Sequence, residues 1–171
     1  MTIPSERNTK GRIVETRRTN PLKYVLFVCG HNAGRSQMSQ AFFNAEKGNF
    51  PSVAASYEAI SVGTRPGTGI NPAVAAAMGE VGIDMSDTSV YFPKGMDSEH
   101  ITTRVNNIGR VIVACDDTCM LPPRVQAIPE HWNLPDPHRQ PIERVREIRE
   151  LTREKVLGLL QEVDDALRLK Q

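Results

Sequence analysis

A chain of 171 residues, 39% hydrophobic and 24% charged, has the composition of one soluble globular domain with a short extension. Its formal net charge of +1, without a basic stripe interleaved with aromatics, excludes a nucleic-acid partner, and no apolar run approaches the ~20 residues of a membrane span. Three cysteines without the spacing of a secreted scaffold, behind an N-terminus lacking the apolar core of a signal peptide, point to the reducing cytoplasm and to thiol chemistry.

Residues 1–22 carry Arg7, Lys10, Arg12, Arg17 and Arg18 against Glu6 and Glu15, with few apolar side chains. They read as a mobile basic tail, and residues 23–171 as the single folded domain. Lys23 to Val28 is a near-continuous apolar run bounded by Pro21 and Gly30, the pattern of a strand buried on both faces of a parallel sheet. It runs into Cys29-Gly30-His31-Asn32-Ala33-Gly34-Arg35-Ser36. Glycine and asparagine tolerate the positive φ that curls backbone N–H groups inward, and a helix opening near Arg35 aims its N-terminus at the same point. The helix signal is the spacing of Met38, Ala41, Phe42 and Ala45, which assigns Met38 and Phe42 to the core. The loop from Gly30 to Arg35 is therefore an expected oxyanion cradle, with Arg35 as its fixed cation, Cys29 as a thiolate nucleophile and Ser36 as a donor to the sulfur.

Tyr57 to Val62 reads as a second strand, ending at a glycine-rich run from Gly63 to Gly69. That run lacks the Gly-Lys-Ser/Thr ending of a phosphate-binding nucleotide loop and the dinucleotide spacing, so no nucleotide is expected. Asn71-Pro72 is a cap followed by proline at the first helical position, opening an alanine-rich helix from Pro72 to Val81. Asp84 to Lys94 is a polar, proline-broken connection, and Ser98 to Asn107 a short helix. Arg110 to Ala114 is a third buried strand ending at Cys115, and His131-Trp132 a short final one. Strand alternating with helix predicts a doubly wound α/β fold, in which ligand chemistry gathers beyond the C-terminal strand ends, where Cys29 and Cys115 both stand. Ile142 to Leu169 is a long helix whose buried face is Val145, Ile148, Thr152, Val156, Leu159 and Val163.

Two further features carry chemistry. Asp136, stiffened between Pro135 and Pro137, is either a turn residue or a loop acid that protonates a leaving oxygen. Cys115 and Cys119 admit three readings: core cysteines, half of a zinc site with His131 or His138, or a redox pair able to close a local disulfide if their segment is helical or becomes so.

Taken together, Cys29 to Ser36 near the start and Asp136-Pro137 near the end resemble the low-molecular-weight protein tyrosine phosphatase family. Ser36-Gln37-Met38-Ser39-Gln40-Ala41, the Cys115/Cys119 pair, Leu121-Pro122-Pro123 and Glu130-His131-Trp132 resemble its arsenate reductase branch. The resemblance spans Lys23 to Leu169. It implies a three-layer sandwich with a four-stranded parallel sheet, no metal and no other cofactor. It further implies that arsenate, with phosphate or sulfate as analogues, binds the loop from Gly30 to Arg35, including His31, Asn32, Ala33 and Gly34. Cys29 attacks arsenic with support from Ser36, and Asp136 protonates the departing hydroxyl. Cys115 then forms a disulfide with Cys29, and Cys119 takes over that bond. Thioredoxin, or a mycothiol- or glutaredoxin-type reductant, closes the cycle for a monomer or homodimer. The alternative within the family is hydrolysis of aryl phosphates, for which Cys29, Arg35 and Asp136 suffice; the two residues after Pro137, His138 and Arg139, depart from the tyrosine pair usual in the phosphatases. A third reading, a non-catalytic redox sensor or oxyanion-binding regulator, requires Cys29 buried and Asp136 pointing away.

Overall fold

The computed structural model describes residues 20–116 and 119–171; nearly all of the expected basic tail lies outside them. Four parallel strands, β1 (Lys23–Cys29), β2 (Tyr57–Gly63), β3 (Ile108–Val113) and β4 (Pro129–His131), form one sheet in the order β2-β1-β3-β4. The apolar run at the start is thus a central strand. Val25 and Phe27 point to one face and Leu26 and Val28 to the other, all four with no exposed surface, because side chains alternate along a strand.

The Val25/Phe27 face is covered by α1 (Arg35–Glu46), α2 (Pro51–Ala54), α3 (Pro72–Gly79) and α5 (Ile142–Arg168). Met38 and Phe42 are core residues there, as their helical spacing predicts. The predicted face of α5, from Val145 to Val163, is the buried one, joined by Leu160. Phe27 packs edge-on to Phe43, with ring centroids 6.3 Å apart, and against Trp132 at 5.6 Å. Burial of a side chain of this size contributes about 2–3 kcal/mol. The Leu26/Val28 face is covered more thinly, by α4 (Glu99–Thr102), a single 3-10 turn (Val105–Asn107) and the irregular chain through Leu121, Val125 and Ala127.

Element ends differ from the sequence reading for local reasons. The alanine-rich helix stops at Gly79, and Gly82 at φ +84° lets the Ile83 N–H return to the Met78 carbonyl. The expected helix from Ser98 to Asn107 is split into α4 and the 3-10 turn. The final strand is Pro129–His131 rather than His131-Trp132, although the Trp132 N–H still reaches the Val113 carbonyl. Helix α2, opened by Pro51, carries too few residues for a periodic signal. No helix among the described residues is long and apolar enough to cross a membrane.

Candidate active site

Strand β1 delivers Cys29 to the C-terminal edge of the sheet, and α1 begins at Arg35. Between them the chain is pinned from outside. The carbonyls of Cys29, Gly30, His31 and Ala33 accept from the N–H groups of Thr64, Arg65, Gly67 and Asn71 at 2.8–3.0 Å, and that of Asn32 from Gln37 Nε2 at 3.1 Å. In a trans peptide the following N–H points opposite to the carbonyl. With five successive carbonyls tied in this way, the N–H groups from Gly30 to Gly34 are turned the other way, the arrangement of a backbone nest. The glycine-rich run after β2, which carries no nucleotide motif, supplies three of those outer donors.

The positive φ in the loop belongs to Asn32, at 52°, and not to either glycine. Gly34 is needed for a different reason: a Cβ there would stand 2.8 Å from Pro137 Cγ. Gly63 is equally constrained, since a Cβ would lie 2.8 Å from the Gly30 carbonyl oxygen and 2.9 Å from both Asn32 N and Cβ.

Asn32 organises a buried chain of hydrogen bonds. Its Oδ1 accepts from Gln37 Nε2 at 3.0 Å and from the Lys94 N–H at 2.9 Å, which fixes the amide orientation. Its Nδ2 therefore faces, and donates to, Ser36 Oγ at 2.7 Å and Ser61 Oγ at 3.0 Å. Ser61 Oγ in turn donates a hydrogen bond to Gln40 Oε1. Ser36 Oγ stands 2.8 Å from Cys29 Sγ, and with the Asn32 hydrogen on one lone pair its own hydrogen is directed to the sulfur. Lys94 is 5% exposed, and burial pushes its ammonium down to about 8.

A cavity of about 50 Å³ lies over the loop, with Cys29, Arg35, Asn71, Asp136 and His138 in its wall. Arg35 Nη1 donates to the Leu134 carbonyl at 3.2 Å, and Nη2 lies 3.7 Å from Asp136 Oδ2. Asp136 is held by the His138 N–H, which donates to Oδ1 at 3.0 Å. Cys29 is buried, at 3% exposed, as the regulator reading requires, but Asp136 lines the same cavity rather than pointing away from it. The rings of His31 and His138 lie 6.4 Å apart at its rim.

The other two thiols are joined as a Cys115–Cys119 disulfide, with Cα atoms 6.8 Å apart. Cys115 sits in a bend, so the bond forms without a helix at that residue. Val28 and Val113 are register partners, and the Ala114 N–H donates to the Val28 carbonyl at 2.8 Å, so Cys29 and Cys115 leave adjacent strands at the same edge. Both belong to one apolar cluster, with Cys119 packed against it. Among the described residues, no three His, Cys, Asp or Glu side chains are grouped to hold a metal ion.

Residues 24–169 match the family described as low molecular weight phosphotyrosine protein phosphatase. The chain belongs to that family. Among its relatives, the glutaredoxin arsenate reductase of Synechocystis sp. is 31% identical, over 83% of this chain and 99% of that protein. An arsenate reductase solved in its phosphate-binding state shares 30% identity with a TM-score of 0.66, covering 82% of this chain and 98% of that one. The Corynebacterium glutamicum thioredoxin-dependent arsenate reductase shares 28% identity with a TM-score of 0.57, covering 92% of this chain and 67% of that one. The matched span agrees with the Lys23 to Leu169 expected from the motifs.

Cys29, Arg35 and Asp136 thus line one cavity, Ser36 lies buried against the Cys29 sulfur, and Cys115 with Cys119 stands at the neighbouring strand end. Ser61, Gln37, Gly63 and Asn71 support these residues, and none of them was assigned that role from the sequence. Only Asn71 carried a usable signal, as a helix cap: its Oδ1 accepts from the Ala73 N–H, and its backbone ties α3 to the Ala33 carbonyl.

Proposed function

We propose that this member of the phosphatase family is an arsenate reductase, converting arsenate to arsenite through Cys29 and a disulfide relay. The observation that carries the reading is the Cys115–Cys119 disulfide at the strand end beside Cys29. Hydrolysis needs no such pair.

In the proposed cycle the N–H groups from Gly30 to Gly34 and the Arg35 guanidinium hold the arsenate oxygens. Cys29 thiolate, supported by Ser36, bonds to arsenic, and Asp136 protonates the departing oxygen, which leaves as water. The Cys115 thiol gives up its proton and attacks Cys29 Sγ. The sulfur–arsenic electron pair passes to arsenic, As(V) becomes As(III), and arsenite leaves a Cys29–Cys115 disulfide. Cys119 attacks Cys115, which returns Cys29 as thiolate and leaves the Cys115–Cys119 bond. An external thiol reductant then supplies two electrons; the glutaredoxin- and thioredoxin-linked names of the relatives support a protein of that kind.

Hydrolysis of an aryl phosphate is the second reading, favoured by Cys29, Arg35 and Asp136 around one cavity. Steady-state assays separate the two. Cys119→Ser is expected to abolish multiple turnover of arsenate with a thioredoxin system while sparing aryl phosphate hydrolysis. Full arsenate turnover by Cys119→Ser contradicts the relay.

A further inference from the structure

A second cavity, of about 140 Å³, has Gln40, Glu58, Phe92, Lys94, His100 and Arg104 in its wall, none of which lines the Cys29 cavity. Its electrostatics are one-sided. Lys94 is 5% exposed, and Nζ meets only neutral partners: it donates to the Phe92 carbonyl at 2.8 Å and stands 4.4 Å from the centroid of the Phe92 ring. An ammonium carries three donors, so the Phe92 carbonyl leaves two of them over. Arg104 is likewise engaged with neutral acceptors, the His100 carbonyl at 3.1 Å and Thr103 Oγ1 at 3.3 Å, and its guanidinium lies 5.5 Å from the Tyr24 ring centroid. Among the described residues, neither cation forms an ion pair. The single carboxylate in the wall is Glu58, which is exposed.

A cation taken out of water is stabilised by an opposite charge or by a full set of acceptors, and among the described residues Lys94 Nζ has the Phe92 carbonyl and no carboxylate. Its lowered pKa, about 8, expresses the same deficit and still leaves the ammonium the major form at pH 7. A buried cation and a second cation in the wall of one cavity favour an anion within it.

We propose that this cavity binds a small inorganic oxyanion such as sulfate, held by Lys94 Nζ and the Arg104 guanidinium with His100 at its rim. The site is distinct from the oxyanion loop. Gln40 forms part of the cavity wall and also accepts a hydrogen bond from Ser61 Oγ, and further hydrogen bonds run from Ser61 through Asn32 and Ser36 to Cys29 Sγ.

Calorimetric titration of the reduced full-length protein with sodium sulfate, at pH 7 and fixed ionic strength, tests this. Two sites are expected. Arg35→Ala should leave only the second, and Arg104→Gln should weaken that second site about tenfold or more by removing a charge-assisted hydrogen bond, without touching the first. Glu58→Gln should tighten the second site severalfold, a gain of function that misfolding cannot imitate. A single site, lost in Arg35→Ala, overturns the proposal. So does a second site indifferent to both Arg104→Gln and Glu58→Gln, which identifies an adventitious ion only.

Discussion

Ser36 Oγ lies 2.8 Å from Cys29 Sγ while accepting from Asn32 Nδ2 at 2.7 Å, so the serine hydrogen and the sulfur face each other at the floor of the oxyanion loop. In the proposed cycle the attacking sulfur is supported by this hydrogen bond. Ser36→Ala removes it without changing shape elsewhere. Hydrogen bonds to charged groups are worth about 1.5–3 kcal/mol, so kcat for arsenate reduction should fall about 10- to 100-fold. Alkylation of Cys29 by iodoacetamide should slow in parallel, which separates an effect on the sulfur from one on substrate binding.

Asn32 has two separable roles, because it occupies the left-handed region at φ 52° and also donates to Ser36 and Ser61. Asn32→Gly keeps the backbone freedom and loses the amide, whereas Asn32→Ala loses both. The two variants should lose activity to a similar degree, while Asn32→Ala is less stable than Asn32→Gly by about 1 kcal/mol in urea denaturation.

Gly63 and Gly30 should respond in opposite ways to alanine. A Cβ on Gly63 meets backbone of the oxyanion loop below 3.0 Å, and one on Gly30 meets nothing within 4 Å. Gly63→Ala should destabilise by about 1–3 kcal/mol and depress turnover, since rigid backbone must shift. Gly30→Ala should leave the melting temperature near that of the parent chain. Thermal denaturation of the pair is the check.

Lys94 gives the fold a pH signature. Its folded-state value of about 8 lies below the ordinary 10.5, so between these limits the unfolded chain binds more protons. Stability from this residue therefore rises as pH increases from about 8 to 10.5, by an amount on the order of 1–3 kcal/mol. Lys94→Met should abolish that increment. Subtracting urea unfolding free energies of the variant from those of the parent chain across this range isolates it.

The sheet and the main helices were legible because their signals are local: an unbroken apolar run for β1, helical spacing in α1 and α5, a cap and proline before α3. Cys29, Arg35, Ser36 and Asp136 stood out in the sequence because residue type carries their chemistry, and the fold brings them close together. What escaped was the support around them. Ser61 and Gln40 are ordinary in sequence, and only the pairing of β2 with β1 brings Ser61 opposite Phe27 and within reach of Asn32. Lys94 stands in a polar connection that reads as exposed, yet its backbone donates to Asn32 Oδ1 and accepts from Gly63. The glycines and the asparagine of the loop suggested positive φ, and among them it is Asn32 that adopts it, with amide hydrogen bonds that compensate the strain. The requirement for Gly63 and Gly34 comes from segments distant in sequence closing on them.

The relay itself is tested most directly by a single turnover without reductant. Fully reduced protein mixed with arsenate, then alkylated and mapped by mass spectrometry, should release one arsenite per chain, with Cys29 alkylated and Cys115 joined to Cys119. Three alkylated cysteines and no arsenite would contradict the account.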